Sequence, residues 1–120
     1  MKQKFFDLAR KISSKSDHHR YKIGCVIVRK NNIVGIGFNQ LKTHPKSPHK
    51  FSTIHAEFSA LLGADPADLI GSEIYVYRQT RNGLPAIAKP CPSCTKMLQN
   101  IGIKKVYYTI NEGYDGYENN

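Results

Sequence analysis

Hydrophobic residues in the first fourteen positions recur at the spacing of one helix face, with Phe5, Phe6, Ala9 and Ile12 separated by polar residues. This period predicts an amphipathic helix over residues 2–14. Two apolar runs rich in β-branched residues follow, at 23–29 and 33–38. Both are typical of short strands, and the polar residues between them predict a hairpin turn.

Helix and strand patterns alternate along the rest of the chain. Residues 39–52 contain two prolines and are expected to form a loop that leads into a helix over 54–63, with Thr53 as its candidate N-cap. The pattern then predicts a strand at 73–79, a turn at 80–83, a helix at 92–100 and a strand at 104–109. The polar, glycine-rich residues 111–120 are expected to form a loose tail.

The predicted order, helix-strand-strand-helix-strand-helix-strand, indicates the α/β class. It predicts a three-layer α-β-α sandwich, in which a mixed four-stranded sheet lies between helices and the last connection is a β-α-β crossover. At 120 residues, the chain is expected to form a single domain over 1–120.

Candidate chemistry is carried by one histidine, one glutamate and two cysteines. His55 and Glu57 lie two positions apart, and Cys91 and Cys94 lie where the third helix is predicted to begin. One imidazole and two thiolates supply three ligands of a tetrahedral zinc ion and leave the fourth position open, as in catalytic zinc sites. A helix N-terminus also favours both thiolates. Cys25 lies in an apolar run predicted to be a buried strand, so we exclude it from the metal site.

The arrangement His-x-Glu followed by Pro-Cys-x-x-Cys, carried here by residues 55–57 and 90–94, is the signature of zinc-dependent nucleobase deaminases. By this signature, and by the runs at 23–28, 35–39 and 101–108 in the same order, the chain resembles the cytidine and deoxycytidylate deaminase superfamily. The resemblance covers most of the chain. It implies a cytidine-deaminase-like fold with one zinc ion at the N-termini of two helices. It also implies hydrolytic deamination of cytosine to uracil, or of adenine as in related enzymes.

The resemblance implies roles for individual residues as well. Glu57 would be the catalytic proton shuttle, Asn39 sits where the family has an asparagine that binds the sugar, and Ala56 sits where relatives direct a backbone N–H at the base carbonyl. Asn39 is equally well explained as a turn residue. Ser59 departs from the asparagine that deoxycytidylate deaminases often carry there, which leaves the monophosphate specificity of the pocket open.

Positive charge is concentrated in the N-terminal part of the chain. Of the formal net charge of +9, residues 1–50 contribute 12 Lys and Arg against 2 Asp, while residues 51–120 contain 6 Lys and Arg against 7 Asp and Glu. Such a field attracts anionic ligands, although for any single lysine a solvated surface is the alternative. The candidate contacts with phosphate or nucleic acid are Lys42, Lys46, Lys50, Arg78, Arg81 and Tyr108.

Three functions therefore stay open at this stage. The favoured one is deamination of cytosine in a free, anionic nucleotide such as dCMP. The second is deamination of cytosine or adenine within single-stranded DNA or RNA, which the basic loop before the histidine would suit. The third is an inactive zinc-bearing nucleic-acid-binding module, against which the presence of Glu57 argues, because binding alone needs no proton shuttle.

Composition bears on location and partners. The cysteine count is odd, at three, and no apolar stretch is long enough to span a bilayer. We therefore expect reduced thiols, a cytoplasmic location and no membrane partner. A homo-oligomer and a monomer are both open.

Overall fold

A computed structural model describes residues 2–17, 22–40, 55–80, 84–111 and 113–118. Within these ranges the chain forms four helices and six strands. None of the described helices has the length and apolarity that a membrane crossing requires. In chain order the elements are α1 (Gln3–Ser13), β1 (Lys22–Arg29), β2 (Asn32–Phe38), α2 (Ala56–Leu62), α3 (Pro66–Leu69), β3 (Glu73–Gln79), β4 (Pro85–Ala86), α4 (Pro92–Ile101), β5 (Lys105–Ile110) and β6 (Gly113–Glu118).

The strands form one mixed sheet in the order β2-β1-β3-β5-β6, with β4 paired to the end of β3. Only β3 and β5 run parallel, and α4 makes the crossover between them, as the β-α-β pattern predicts. The α/β sandwich is therefore confirmed. The described sheet has six strands instead of the four predicted, because β4 and β6 were not expected.

The two faces of the sheet are filled by different side chains, because successive residues of a strand point to opposite sides. On the central strand, Tyr75 and Tyr77 face α1, whereas Ile74 and Val76 face α2 and α4. We call the α1 side the aromatic face; its buried residues are Phe5, Phe6, Ala9, Ile12, Val26, Val28, Tyr75, Tyr77 and Tyr107. We call the other side the aliphatic face; its strand residues are Cys25, Ile27, Ile74, Val76, Val106 and Tyr108.

On each face of the sheet, one helix packs directly against a glycine of a strand. A Cβ at Gly24 would lie 2.1 Å from the carbonyl oxygen of Ala9 on α1, and a Cβ at Gly37 would lie 2.2 Å from the backbone nitrogen of Ala60 on α2. Real Cβ atoms do not approach backbone so closely, so a side chain at either glycine would force the helix away from the strand. The contact at Gly37 fixes how α2 lies over β2, and thereby where its N-terminus points.

The C-terminal residues correct the expectation of a loose tail. Residues 113–118 form β6, which pairs antiparallel with β5 along its whole length. Its two tyrosines explain why: the Tyr114 ring stacks on Phe6 on the aromatic face, with ring centroids 3.9 Å apart, and Tyr117 packs against the aliphatic face. Sequence pattern missed this strand because its apolar residues are three positions apart and glycine and aspartate fill the gaps.

Other boundaries differ from the predictions by small amounts. The first helix, the first three strands, the α4 helix and β5 lie within one or two residues of the predicted ranges. The second helix begins at Ala56, with His55 as its N-cap, while the candidate cap Thr53 lies outside the described residues. The short α3, capped by the Asp65 side chain, was not predicted.

Candidate metal centre and active site

The N-termini of α2 and α4 meet on the aliphatic face. His55 is the N-cap of α2, and Cys91 is the N-cap of α4. Pro92 takes the first position of α4, where its missing N–H is not needed, and this places Cys94 in the first turn. The structure thus brings together the three residues that the sequence assigned to zinc.

The geometry of this group fits a tetrahedral zinc ion. Nδ1 of His55 lies 3.6 Å from Sγ of Cys94 and 3.9 Å from Sγ of Cys91, and all three ligand atoms lie within 4.8 Å of one another. Bonds of about 2.3 Å to sulfur and about 2.0 Å to nitrogen put tetrahedral N and S ligands about 3.5 Å apart. One ion can therefore contact all three atoms, with Nδ1 as the histidine ligand, and three protein ligands leave a fourth position for water.

Electrostatics at the group call for a cation. Cys94 is fully buried, and burial raises the pKa of its thiol, with the nearby Glu57 carboxyl and Cys91 raising it further. Without a positive charge the thiol would therefore stay protonated. A divalent ion reverses this balance, because coordination favours the thiolate outright. The positive ends of two helix dipoles act in the same direction.

Glu57 lies in the first turn of α2, beside the three candidate ligands. It is buried, with 4% of its surface exposed, and the Cys94 thiol is within hydrogen-bond reach of its carboxyl. Burial raises the pKa of Glu57, while hydrogen bonds from its own backbone N–H and from Cys94 lower it. A carboxyl with a raised pKa next to an open metal position is suited to accept and return a proton.

Cys25 lies on β1 below this site and outside the three-residue group. It is fully buried among the aliphatic residues, and that burial, together with the Glu57 carboxyl, raises the pKa of its thiol well above the usual range. It behaves as a small apolar residue, as its sequence context predicted.

Asn39 and Ala56 both lie at the end of the sheet where the metal ligands meet. The Asn39 side chain is buried, and its Oδ1 accepts the backbone N–H of Ile23 at 2.9 Å, while its own backbone N–H donates to the Ile23 carbonyl at 3.1 Å. These bonds close the end of the β1-β2 pair. Ala56, fully buried, is the first residue of α2 and lies between His55 and Glu57.

The candidate phosphate contacts fall into two groups. Lys42, Lys46, Lys50 and Arg81 lie outside the described residues. Arg78 shares a strand face with Val76, and its guanidinium donates to the Ile87 carbonyl of the β3-β4 hairpin at 3.3 Å. Tyr108 is 7% exposed, and its hydroxyl donates to Asp115 at 3.4 Å. Its ring is buried, which does not support a role in stacking on bases.

Sequence reasoning missed Thr95 and Tyr117, which border the metal centre. The Thr95 hydroxyl donates to the Pro90 carbonyl at 3.3 Å and lies 3.4 Å from the Tyr117 hydroxyl. Burial raises the pKa of Tyr117, and the nearby Glu57 and Cys94 groups raise it further. Its only sequence signal was an aromatic residue in a segment that otherwise resembled a tail.

Comparison with known proteins agrees with this geometry. The family model described as the cytidine and deoxycytidylate deaminase zinc-binding region matches residues 1–110. A deoxycytidylate deaminase of a Mycobacterium phage is 28% identical, covering 87% of this chain and 90% of its own. An uncharacterized deaminase of Aliivibrio fischeri is 32% identical, covering 88% of this chain and 69% of its own. The crystal structure of a cyanophage dCMP deaminase in complex with dCMP and dUMP is 28% identical and superposes with a TM-score of 0.67, covering 90% of this chain and 82% of its own.

Proposed function

We propose that this chain, which belongs to the cytidine and deoxycytidylate deaminase family, hydrolyses the exocyclic amine of cytosine in a free nucleotide such as dCMP. The observation that carries the proposal is the meeting of His55, Cys91 and Cys94 with the buried Glu57 at two helix N-termini. Relatives that match most of the chain are named for deoxycytidylate, and one solved relative binds dCMP and dUMP.

The reaction replaces one bond at C4 of the base. Water supplies the oxygen of the new C4–O bond, the C4–N bond breaks, and the amine leaves as ammonia to give uracil. When bound by His55, Cys91 and Cys94, zinc supplies a Lewis acid that makes water nucleophilic at neutral pH. The three ligand residues would hold the metal at the N-termini of α2 and α4, and their buried surroundings limit the access of other water molecules.

Glu57 moves the protons in this scheme. Its carboxylate accepts a proton from the attacking water and gives it to ring nitrogen N3. It then takes the second proton from the oxygen now bound to C4 and delivers it to the departing amine, which leaves as ammonia. The burial that raises its pKa suits both steps, because a carboxyl must take up and release protons near neutral pH. Placement in the first turn of α2, two residues after His55, keeps the carboxyl beside the attacking water.

Asn39, Ala56 and Arg78 are the residues we propose for substrate contacts. Asn39 sits at the end of β2 on the same side as the metal ligands and would bind the sugar, and the backbone N–H of Ala56 would bind the base carbonyl. Arg78 brings a guanidinium to the hairpin that precedes Cys91, where it would interact with a phosphate.

Deamination of single-stranded nucleic acid is less well supported. The aromatic ring nominated for stacking, Tyr108, is buried, and the relatives named by substrate act on a nucleotide. The inactive binding module is disfavoured by the buried carboxyl of Glu57, which a binding protein would have no reason to keep next to metal ligands.

A substrate panel tests the proposal. The zinc-loaded protein is incubated with dCMP, CMP, cytidine, dCTP, single-stranded DNA and RNA, and each is scored for the product base, with Glu57→Gln as the inactive control. We expect turnover of dCMP above the other substrates. Conversion of oligonucleotides only, with an affinity that falls steeply with salt at a slope of about −0.7 per contacted phosphate, would reject the nucleotide proposal. In that case, replacing Lys42, Lys46 and Lys50 with Gln should flatten the salt slope.

The proposed location is the cytoplasm. Cys91 and Cys94 bind zinc only while they are reduced, and a reducing compartment keeps them so. In the described part of the chain, Cys25, Cys91 and Cys94 form no disulfide.

A further inference from the structure

Thr95 holds the backbone on both sides of the metal ligand Cys91. Its backbone N–H donates to the Cys91 carbonyl at 2.8 Å, which is the first helical bond of α4. Its hydroxyl donates to the carbonyl of Pro90, the preceding residue, at 3.3 Å. The peptide group before Cys91 is thus bonded to the Thr95 hydroxyl, and the peptide group after it to the Thr95 amide. The direction of the Cys91 sulfur therefore depends on where Thr95 lies.

Tyr117 fixes the Thr95 hydroxyl from the opposite side. The two hydroxyl oxygens are 3.4 Å apart, and the Thr95 proton is already used on Pro90, so Tyr117 must be the donor. The Tyr117 ring is held by a tilted contact with the Tyr108 ring, with centroids 6.2 Å apart, and by the Lys89 ammonium, 5.8 Å from the ring centroid. The hydroxyls therefore form a directed chain from Tyr117 through Thr95 to the Pro90 carbonyl.

We propose that Tyr117 is a positioning residue for the metal centre, which orients Cys91 through Thr95 and the Pro90 carbonyl. The effect on zinc binding does not depend on the proposed function, whereas the expected effect on turnover rests on it. Outer groups that orient metal ligands tune affinity as well as activity, and this group reaches the ligand through two hydrogen bonds.

The chain between β4 and α4 is held at its β4 end by hydrogen bonds with Thr109, which do not involve Tyr117. The Ala88 N–H donates to the Thr109 carbonyl at 2.9 Å, and the Thr109 hydroxyl donates to the Ala86 carbonyl at 2.6 Å. These bonds fix where the chain leaves β4. The other end, where Cys91 precedes α4, relies on the Thr95 bonds. Removing the Tyr117 hydroxyl should therefore loosen Cys91 without displacing the chain between β4 and α4.

Tyr117→Phe and Tyr114→Phe make a matched pair that tests the proposal. Both remove a tyrosine hydroxyl from β6, but Tyr114 faces the aromatic side, where its hydroxyl accepts from Gln3 at 2.8 Å. Zinc affinity is measured by competition with a chromophoric chelator, together with the zinc dissociation rate. We expect Tyr117→Phe to weaken zinc binding about fivefold, as loss of one hydrogen bond does, and Tyr114→Phe to leave it within twofold. Equal zinc affinities for the two variants would overturn the proposal.

A double-variant cycle tests whether the two hydroxyls act in series. Thr95→Val keeps the shape but cannot bond Pro90, and we expect it to weaken zinc binding about tenfold. Adding Tyr117→Phe to Thr95→Val should then change little, while Thr95→Ser should restore most of the affinity. Additive losses in the double variant would mean that Tyr117 does not act through Thr95.

Steady-state kinetics separate this proposal from the proposed function. With dCMP as substrate, Tyr117→Phe should lower kcat by about threefold to tenfold with KM within twofold, since the metal and not the substrate pocket is disturbed. If the wild-type protein does not convert dCMP but the difference in zinc affinity between the two tyrosine variants persists, the proposed function fails and the positioning role stands. If dCMP is converted and the zinc affinities are equal, the reverse holds.

Discussion

The aromatic face and the aliphatic face are built from the same strands, yet they differ in what they leave available for chemistry. On the aromatic face, large rings fill the space between α1 and the sheet; Tyr75 and Tyr107 stack with ring centroids 4.8 Å apart, and Phe6 meets Tyr75 edge to face at 5.1 Å. On the aliphatic face, small residues such as Cys25 and Ala60 fill the core, and α2 lies directly against Gly37 of β2.

One small core thus serves two purposes. Aromatic rings bury large apolar areas and carry much of the stability available to the domain. The aliphatic side uses its space for polar helix ends, a buried carboxyl and ligand thiols, all of which cost free energy unless a metal and hydrogen bonds satisfy them. Substitutions on the aromatic face should therefore lower stability, whereas substitutions on the aliphatic face should lower turnover.

Removing a metal ligand should affect both properties at once. In Cys91→Ala, zinc loses one of three protein ligands, and structural-strength zinc binding contributes on the order of 10 kcal/mol to folding in small domains. We expect less than stoichiometric zinc by metal analysis, no detectable deamination and a lower melting temperature. Full zinc content in this variant would remove Cys91 from the ligand set.

Removing the carboxyl that we propose as the proton shuttle should abolish turnover and spare the fold. Glu57→Gln keeps the size of the side chain and is not a metal ligand, so zinc content and melting temperature should stay close to wild type. Loss of general acid-base catalysis should lower kcat by about 10²–10⁴. The check combines metal analysis, thermal unfolding and a dCMP assay; loss of zinc in parallel with activity would show that Glu57 has a structural role.

Truncating a side chain on the aromatic face should lower stability and spare turnover. Phe6 is fully buried against Tyr75 and Tyr114, and Phe6→Ala should destabilise the protein by about 3–5 kcal/mol in urea unfolding. At a temperature where the variant is folded, kcat and zinc content should be within about twofold of wild type. Phe6→Leu, with a smaller cavity, serves as the folded control. A large fall in kcat in Phe6→Leu would show that the two faces are coupled.

The smallest change tests the polar contacts of one hydroxyl at the rim of the aromatic face. The Tyr107 hydroxyl donates to the Glu73 carboxylate at 3.1 Å and accepts from the Lys105 ammonium, and Tyr107→Phe removes both bonds while the ring stack remains. We expect a loss of about 1 kcal/mol in the free energy of unfolding and unchanged zinc affinity. A matched loss in Glu73→Gln would assign the effect to the bond with Glu73, whereas no loss in either variant would mean that this contact contributes nothing.

The part of the fold that sequence predicted is the part where local pattern and tertiary environment agree. The α1 helix shows its period directly, β3 has uninterrupted strand-forming residues, and α4 carries both its proline start and Gly102 as a left-handed C-cap. The sequence pointed to the three candidate zinc ligands and to Glu57 because that chemistry requires fixed residue types at fixed spacing close to helix starts, and the structure brings the three ligand atoms together.

The rest depends on contacts that no local pattern records. The edge strand β6 is held by Tyr114 against Phe6 and by Tyr117 against Thr95, residues far apart in the chain. The two-residue β4 begins with Pro85, which opposes a strand prediction, yet at a sheet edge the missing N–H costs nothing. Tyr108 was named as a candidate contact with nucleic acid, but it is buried on the aliphatic face, and sequence alternation alone does not show that this side of β5 is covered.

The pairing of β1 with β3 has a consequence for biosynthesis. It joins Val28 to Glu73 and Lys22 to Gln79, so the chain that carries β2 and α2 is a closed loop between the two strands. Closing such a loop costs entropy before the strand pairs form, which slows folding. On the ribosome, His55 emerges well before Cys91 and Cys94, and domains mature as their last segments appear. A nascent chain that ends before residue 91 lacks both thiol ligands, so zinc capture by all three ligands has to wait until Cys94 has been synthesised.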